Sequence, residues 1–312
     1  MANTPPARRM KLGIAPSIEE NGINGQTPRF SDLRAMAHAA EDAGFDSLWI
    51  EDHFLFRFPN QPEQGCWEGF TFLGALAATT TRIALGSFVA ATSFRNPALV
   101  AKMADSLDEI SDGRFILGLG AGWHEPEYTA FGYPFDHRAA RFEEALRIIV
   151  PLLREGHVNY AGQYYQARDC VLRPRGPSPT GPAIWIGASK PRMLRQVARH
   201  ADAWNTVWHR QADGVSKVYP DLLAACQEVG RDPASIELTA GTFAEILAPG
   251  EQRKPDAKGI GGQADEVAAA LHGFAEAGVR HLVLIVTPED ITGIERFAGV
   301  IERLDQMESA GG

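Results

Sequence analysis

The sequence predicts an α/β fold, a TIM (β/α)8 barrel with insertion segments, and three observations favour this class. Eight short apolar segments recur along the 312 residues. Most of them are followed by a segment with the apolar period of an amphipathic helix. Strands that alternate with helices pair in parallel, and barrels of about 250 residues or more commonly form one domain. We therefore expect a single domain over residues 1–312.

The predicted strands are short, mostly apolar and bounded by turn residues. They cover residues 11–15, 47–50, 83–90, 115–119, 183–187, 203–207, 236–243 and 281–286. The helical period is clearest in the segments between them, over residues 32–43, 97–110, 142–153, 191–200 and 265–277.

Capping residues mark where several helices begin and end. Asn96 before Pro97 predicts one helix start, and Asp136 predicts the start of a long helix over 136–154. Glycine is the usual residue just past a helix end. The glycines expected in this role are Gly44, Gly156 and Gly278.

Three segments interrupt the repeat and are predicted to be insertions. Residues 54–68 are rich in proline and aromatic residues. Residues 157–182 are expected to form a hairpin with Ala161 and Gly162 at its turn. Residues 248–262 have a composition consistent with a mobile lid.

Composition favours a small-molecule substrate. The net charge of -9 argues against broad contact with nucleic acid or an anionic membrane. Three scattered cysteines, Cys66, Cys170 and Cys226, predict reduced thiols and a cytoplasmic protein. The first residues lack the apolar run of a signal peptide. Neither an HExxH metal motif nor a GxSxG nucleophile motif occurs.

Candidate site residues follow the second and third predicted strands, at the barrel end where catalytic groups lie. Asp52 and His53 supply an acid and an imidazole that can move a proton near neutral pH. Alternatively, they only cap the strand and pair with each other. Phe88, Val89 and Ala90 suit a bulge against a flat ligand, although an ordinary buried strand fits the same composition.

Two glycine-containing loops are further candidates. GLGAG at 118–122 is a weak match to a dinucleotide motif, so Ala121 and Gly122 either contact a ligand or allow close backbone packing. The residues Gly187, Ala188, Ser189 and Lys190 precede a helix. Their free amides can hold a phosphate, or Ser189 simply caps that helix.

Several motifs together resemble the luciferase-like monooxygenase superfamily, from about Met10 to the last helix. They are WIEDHF, FRNPALVAKM, SDGRFILGLGAGWHEPEYTAFG, RFEEALRII, IWIGASKPRML and ADAWNT. The likeness is greatest to the branch that uses the deazaflavin coenzyme F-420. The resemblance implies a (β/α)8 barrel that binds F-420 at its C-terminal mouth, often as a homodimer, and transfers hydride to or from a small organic substrate.

The resemblance also assigns roles by position. It implies a non-prolyl cis peptide bond between Phe88 and Val89 that supports the coenzyme ring, and it places Asp52 and His53 near the reactive face. His53 becomes the first candidate for the proton partner. Ala121 and Gly122 match a strand-four contact. The residues matched to the phosphate and tail region of the coenzyme are Gly187, Ala188, Ser189 and Lys190.

One position departs from the family pattern. Deazaflavin-dependent sugar-phosphate dehydrogenases carry an acidic proton donor where this chain has Trp123, with Glu125 and Glu127 nearby but shifted. The resemblance therefore does not extend to glucose-6-phosphate oxidation. The aromatic residues of the first insertion either shape the substrate side or pack within their loop; they are Phe54, Phe56, Phe58 and Trp67.

Two other functions remain open on the same barrel. One is an FMN-dependent monooxygenase that needs oxygen and reduced flavin. The other is a flavin-binding protein without turnover. A separate F-420 or flavin reductase is an expected partner of the catalytic alternatives.

Overall fold

In the computed structural model, which describes residues 8–248, 250–253 and 257–310, eight parallel strands form a closed barrel. The barrel closes because the fourth strand pairs with the fifth and the eighth pairs with the first. The predicted (β/α)8 fold is confirmed. The strands are β1 (Lys11–Ile14), β2 (Ser47–Ile50), β3 (Ala84–Ser87), β4 (Phe115–Gly120), β5 (Ala183–Gly187), β6 (Ala203–Thr206), β7 (Glu237–Ile246) and β8 (His281–Thr287).

Eight long helices surround the barrel in the same described ranges. They are α1 (Phe30–Ala43), α2 (Gly69–Thr79), α3 (Pro97–Ile110), α4 (Arg138–Glu155), α5 (Pro191–His200), α6 (Asp213–Val229), α7 (Ala264–Glu276) and α8 (Ile291–Ala310). Three of them, α2, α6 and α8, were not among the five predicted helical segments. The sequence of α2 is apolar on nearly every side, and α6 contains Pro220, so both lack a clear helical signal.

Helix ends agree with most of the expected caps. The Asn96 side chain accepts the amides of Ala98 and Leu99 at 2.9 and 3.4 Å. Gly44 and Gly156 end α1 and α4 with φ of 92° and 80°. The expected start at Asp136 is wrong by two residues: His137 has φ of 51°, so the helical conformation begins only at Arg138.

Large aromatic side chains fill the barrel interior below its C-terminal mouth. Trp49 and Trp185 lie with ring centroids 4.3 Å apart, and Phe88 packs 5.7 Å from Trp49. Space for Trp49 depends on a glycine in the next strand, because a Cβ on Gly86 would lie 2.2 Å from the indole. The barrel is therefore a packed core, and a ligand must bind above these rings.

The insertions differ in detail from expectation. The first holds a small hairpin, Leu55–Phe56 with Gln64–Gly65. The second pairs His157–Ala161 with Gln166–Val171, so Ala161 ends a strand instead of occupying the turn at 162–165. In the third, Ile260–Gly262 pairs with the end of β7. Residues 249 and 254–256 lie outside the described residues, and the mobile lid stays a prediction.

Among the described residues, every helix is too short or too polar to cross a bilayer.

Candidate active site

A cleft of about 670 Å³ opens at the C-terminal end of the barrel strands. This volume lies within the range of about 300–1,000 Å³ typical of small-molecule sites. Every residue predicted above for catalysis or coenzyme binding lines the cleft except Ala90. Ala90 is buried in the main core, and Ala91 lines the cleft in its place, because successive residues of an extended chain face opposite sides.

Phe88 and Val89 form a ridge on the cleft floor. The peptide bond between them is cis, as the family resemblance implied. Val89 fits over the ends of β4 and β5 because both strands carry glycine there: a Cβ on Gly120 would lie 2.8 Å from Val89 Cγ2, and one on Gly187 would lie 3.2 Å from it. A second non-prolyl cis bond, Val207–Trp208, follows β6 and was not predicted.

His53 is held by a buried carboxylate. Its Nδ1 lies 2.9 Å from Glu127 Oε1, and Glu127 Oε2 accepts the amide of Phe54 at 3.0 Å. Glu127 belongs to the short helix Glu125–Phe131 after β4 and is only 1% exposed. His53 Nε2 makes no hydrogen bond to any other described residue, so this nitrogen is available to a ligand.

The same contact sets the charge of the imidazole. Burial lowers the pKa of His53, but the hydrogen bond and negative charge of Glu127, together with the charges of Glu51 and Asp52, outweigh burial and raise this pKa above its ordinary value. The raised pKa favours the protonated imidazole, which can exchange its proton through Nε2.

Asp52 lies beside His53 in sequence but faces an arginine. Arg95 Nη1 and Nη2 lie 2.7 and 2.8 Å from the two Asp52 oxygens, and the Ala91 amide donates to Oδ2 at 3.0 Å. Arg95 also binds Glu68. Because protein donors occupy both oxygens, these contacts favour an anchoring role for Asp52, which holds the loop after β3, over a role in proton transfer.

Lys190 marks the positive end of the cleft. Arg192 is paired with Glu143 at 2.8 Å, whereas Lys190 is exposed and has no ion pair with a described residue. The amides of Ser189 and Lys190 also lack acceptors in the described part of the chain. They precede α5, whose N-terminus adds a positive partial charge. This loop fits a phosphate group.

Aromatic rings form the wall beside His53. The rings of Phe56 and Trp123 lie 4.5 and 5.6 Å from the imidazole. Of the four aromatic residues proposed for the substrate side, only Phe56 lines the cleft. Phe54 stacks on Phe94, and Trp67 donates its indole N–H to the carbonyl of Pro28.

These features suit a flat ring system with a phosphate-bearing tail. The ridge offers Phe88 and Val89 as a support for a planar group, and Lys190 can balance a phosphate charge. His53 lies where a proton can be exchanged with a bound ligand.

Sequence reasoning missed Arg95 and assigned no role to Glu127. The only local signal for Arg95 is its place just before the Asn96–Pro97 helix start.

The chain is similar in sequence to known F-420-dependent enzymes. An F-420-dependent glucose-6-phosphate dehydrogenase from Kineococcus radiotolerans is 30% identical, with 90% of this chain and 92% of that protein covered. An enzyme of the same name from Amycolatopsis mediterranei is 34% identical over 203 residues, which cover 62% of this chain and 56% of that enzyme. This chain therefore matches less than two thirds of the latter's length.

A solved F-420-dependent secondary alcohol dehydrogenase, in complex with an F-420–acetone adduct, shares the fold with a TM-score of 0.79 and 19% identity. The superposition covers 95% of this chain and 99% of that one. The family model described as luciferase-like monooxygenase matches residues 10–281. The chain thus belongs to the luciferase-like monooxygenase family, as its sequence motifs predicted.

Proposed function

We propose that the chain is an oxidoreductase that uses coenzyme F-420 to move hydride to or from a small organic substrate. The observation that carries this proposal is the free Nε2 of His53, facing the cleft while Glu127 fixes the opposite nitrogen. The names of the relatives support the choice of coenzyme. The substrate-side wall, with Trp123 in place of an acid, supports a substrate other than a sugar phosphate.

Particular residues would hold the coenzyme. Phe88, Val89 and Ala91 would support its ring, and Ser189 with Lys190 would bind its phosphate. When bound, a deazaflavin supplies hydride chemistry at carbon 5, and the protein supplies orientation and a dry pocket.

The chain's own groups handle the proton. When a substrate carbon accepts hydride, the attached heteroatom gains electron density and takes a proton from His53 Nε2. Glu127 keeps Nδ1 protonated and stabilises the imidazolium. Phe56 and Trp123 pack beside His53 and would cover one side of a bound substrate. Asp52 positions the Ala91 backbone directly by accepting its amide, is itself held by Arg95, and takes no proton.

The coenzyme assignment predicts a binding preference. Titrations that follow fluorescence quenching should give tighter binding of F-420 than of FMN to the purified protein. Lys190→Ala should weaken F-420 binding about tenfold, or about 1.4 kcal/mol, because a charge-assisted contact to phosphate is lost. Lys217→Ala, an exposed lysine on α6 paired with Asp213, serves as control. Tighter binding of FMN would overturn the assignment of F-420 as the coenzyme. Binding of neither F-420 nor FMN would favour a protein without turnover.

The raised pKa of His53 predicts a pH profile. In the reducing direction the imidazolium donates, so kcat should fall as pH rises through the pKa of His53. Glu127→Gln removes the charge that raises this pKa, so the fall should move to lower pH. Steady-state rates across pH test this, with Glu125→Gln on the exposed side of the same short helix as control. An unchanged profile in Glu127→Gln would exclude His53 as the donor.

A further inference from the structure

Glu51 is a carboxylate at the bottom of the cleft to which the mechanism above assigns no role. It follows β2 on the same side of the strand as Trp49, which fills the barrel interior. Its side chain is deeply enclosed by protein, and the surface it keeps belongs to the cleft that it lines. Within the described residues it has no hydrogen-bond or ion-pair partner. The carboxyl is therefore available to a ligand.

On the His53 side of the cleft, Glu51 is the acid that has no ion-pair partner among the described residues. Of the other acids that line it, Asp52 is paired with Arg95 and Glu127 with His53. Lys190 lies with the predicted phosphate loop after β5 and has no ion pair with Glu51. The nearby His53 attracts Glu51 but is held by Glu127, so a neutral substrate would leave the Glu51 carboxylate without a direct ion pair, which is costly in an enclosed site.

Neighbouring acids strengthen this negative field. Burial raises the pKa of Glu51, the charge of His53 lowers it, and Glu19 and Glu127 raise it further. Burial together with Glu19 and Glu51 raises the pKa of Glu289, in the loop after β8, to about 7, with Lys258 opposing. A bound cation would stabilise the ionised form of Glu51 more than any neutral group.

The cleft also presents aromatic faces to a cation. Phe56, Trp123 and Trp208 line it together with Glu51. Trp123 is 55% exposed and Trp208 is 40% exposed, so both rings have free surface in the structure. Aromatic faces attract cations through their quadrupoles. A cleft lined by an unpaired carboxylate and by aromatic faces is suited to an organic cation.

We propose, on the basis of the function proposed above, that the substrate is an imine or the corresponding amine, and that the Glu51 carboxylate pairs with its positively charged nitrogen. Reduction of the imine to the amine needs two electrons, and reduced F-420 supplies them as the reductant. The imine nitrogen takes a proton from His53 Nε2, and the imine carbon accepts hydride from the coenzyme. The C=N π pair becomes the nitrogen lone pair, which leaves an amine and the oxidised coenzyme. Glu51 stabilises the iminium before hydride transfer.

A matched pair of bicyclic probes tests this assignment by binding alone. Calorimetry with the protein saturated by oxidised F-420 should show that 3,4-dihydroisoquinoline binds at least tenfold more tightly than 1-tetralone, a neutral ketone of similar shape. Glu51→Gln should abolish this preference, and Glu125→Gln should preserve it. Turnover with reduced F-420 should show the same preference in kcat/KM.

The possible outcomes separate this inference from the proposed function. Equal binding of the two probes to the wild-type protein, or no binding of the imine, overturns the inference even if Glu51→Gln fails to fold. A preference retained in a folded Glu51→Gln variant also overturns it. Failure of the wild-type protein to bind F-420 in the fluorescence titration overturns the proposed function instead.

Discussion

Replacing His53 with alanine should lower kcat by about 10²–10⁴-fold, the usual contribution of a positioned acid or base. The affinity for F-420 should change little, because the ridge at Phe88–Val89 and the loop at Ser189–Lys190 remain in place. Single-turnover rates and fluorescence titrations on the same preparation separate the two quantities.

A histidine outside the cleft provides the control for this substitution. His38→Ala, on the exposed side of α1, should leave turnover unchanged. Turnover retained in His53→Ala would remove His53 from the mechanism. A large loss of F-420 affinity without a loss of kcat would make it a binding residue instead.

Asp52→Ala should cost about 3–5 kcal/mol in the free energy of unfolding, because it leaves the buried Arg95 guanidinium without its main partner. The Asp52 and Arg95 side chains are 1% and 10% exposed. Urea unfolding measures the effect. Asp265→Ala, which breaks the exposed pair with Arg303, should cost less than about 1 kcal/mol.

Asp52→Asn distinguishes anchoring from catalysis. The amide keeps the size of the side chain but removes its charge, so we expect a lower free energy of unfolding. Turnover should fall only to the extent that the loop after β3 is displaced. A variant with wild-type stability and F-420 affinity that had lost turnover would restore Asp52 as a catalytic residue.

The barrel was predictable because each of its strands is a local signal. Short apolar runs between turn residues identified all eight strands, and parallel pairing follows from the intervening helices. Helices α2 and α6 were missed for a local reason as well, since one is apolar on nearly every side and the other contains Pro220.

The site was only partly predictable because its key contacts join distant residues. His53 and the Phe88–Val89 ridge follow strands, and such positions are expected at a barrel mouth. Glu127 lies 74 residues from His53, and Arg95 lies 43 residues from Asp52. Their pairings depend on how the loops after β3 and β4 fold over β2, which single-sequence patterns do not specify.

The same limit applies to which neighbour faces the cleft. Residues 90 and 91 are both alanine, so residue type does not distinguish them. Only the direction of the chain after the ridge places Ala91 at the surface of the cleft. Glu51 and Asp52 are likewise adjacent acids that both line the cleft, and only the direction of the chain after β2 pairs Asp52 with Arg95.

A crystal structure with F-420 bound tests the central claim most directly. We expect the deazaflavin ring against Phe88 and Val89, its phosphate at Ser189 and Lys190, and carbon 5 exposed on the side of His53. A ring bound elsewhere, or one with carbon 5 turned away from His53 and toward the ridge, would contradict the account.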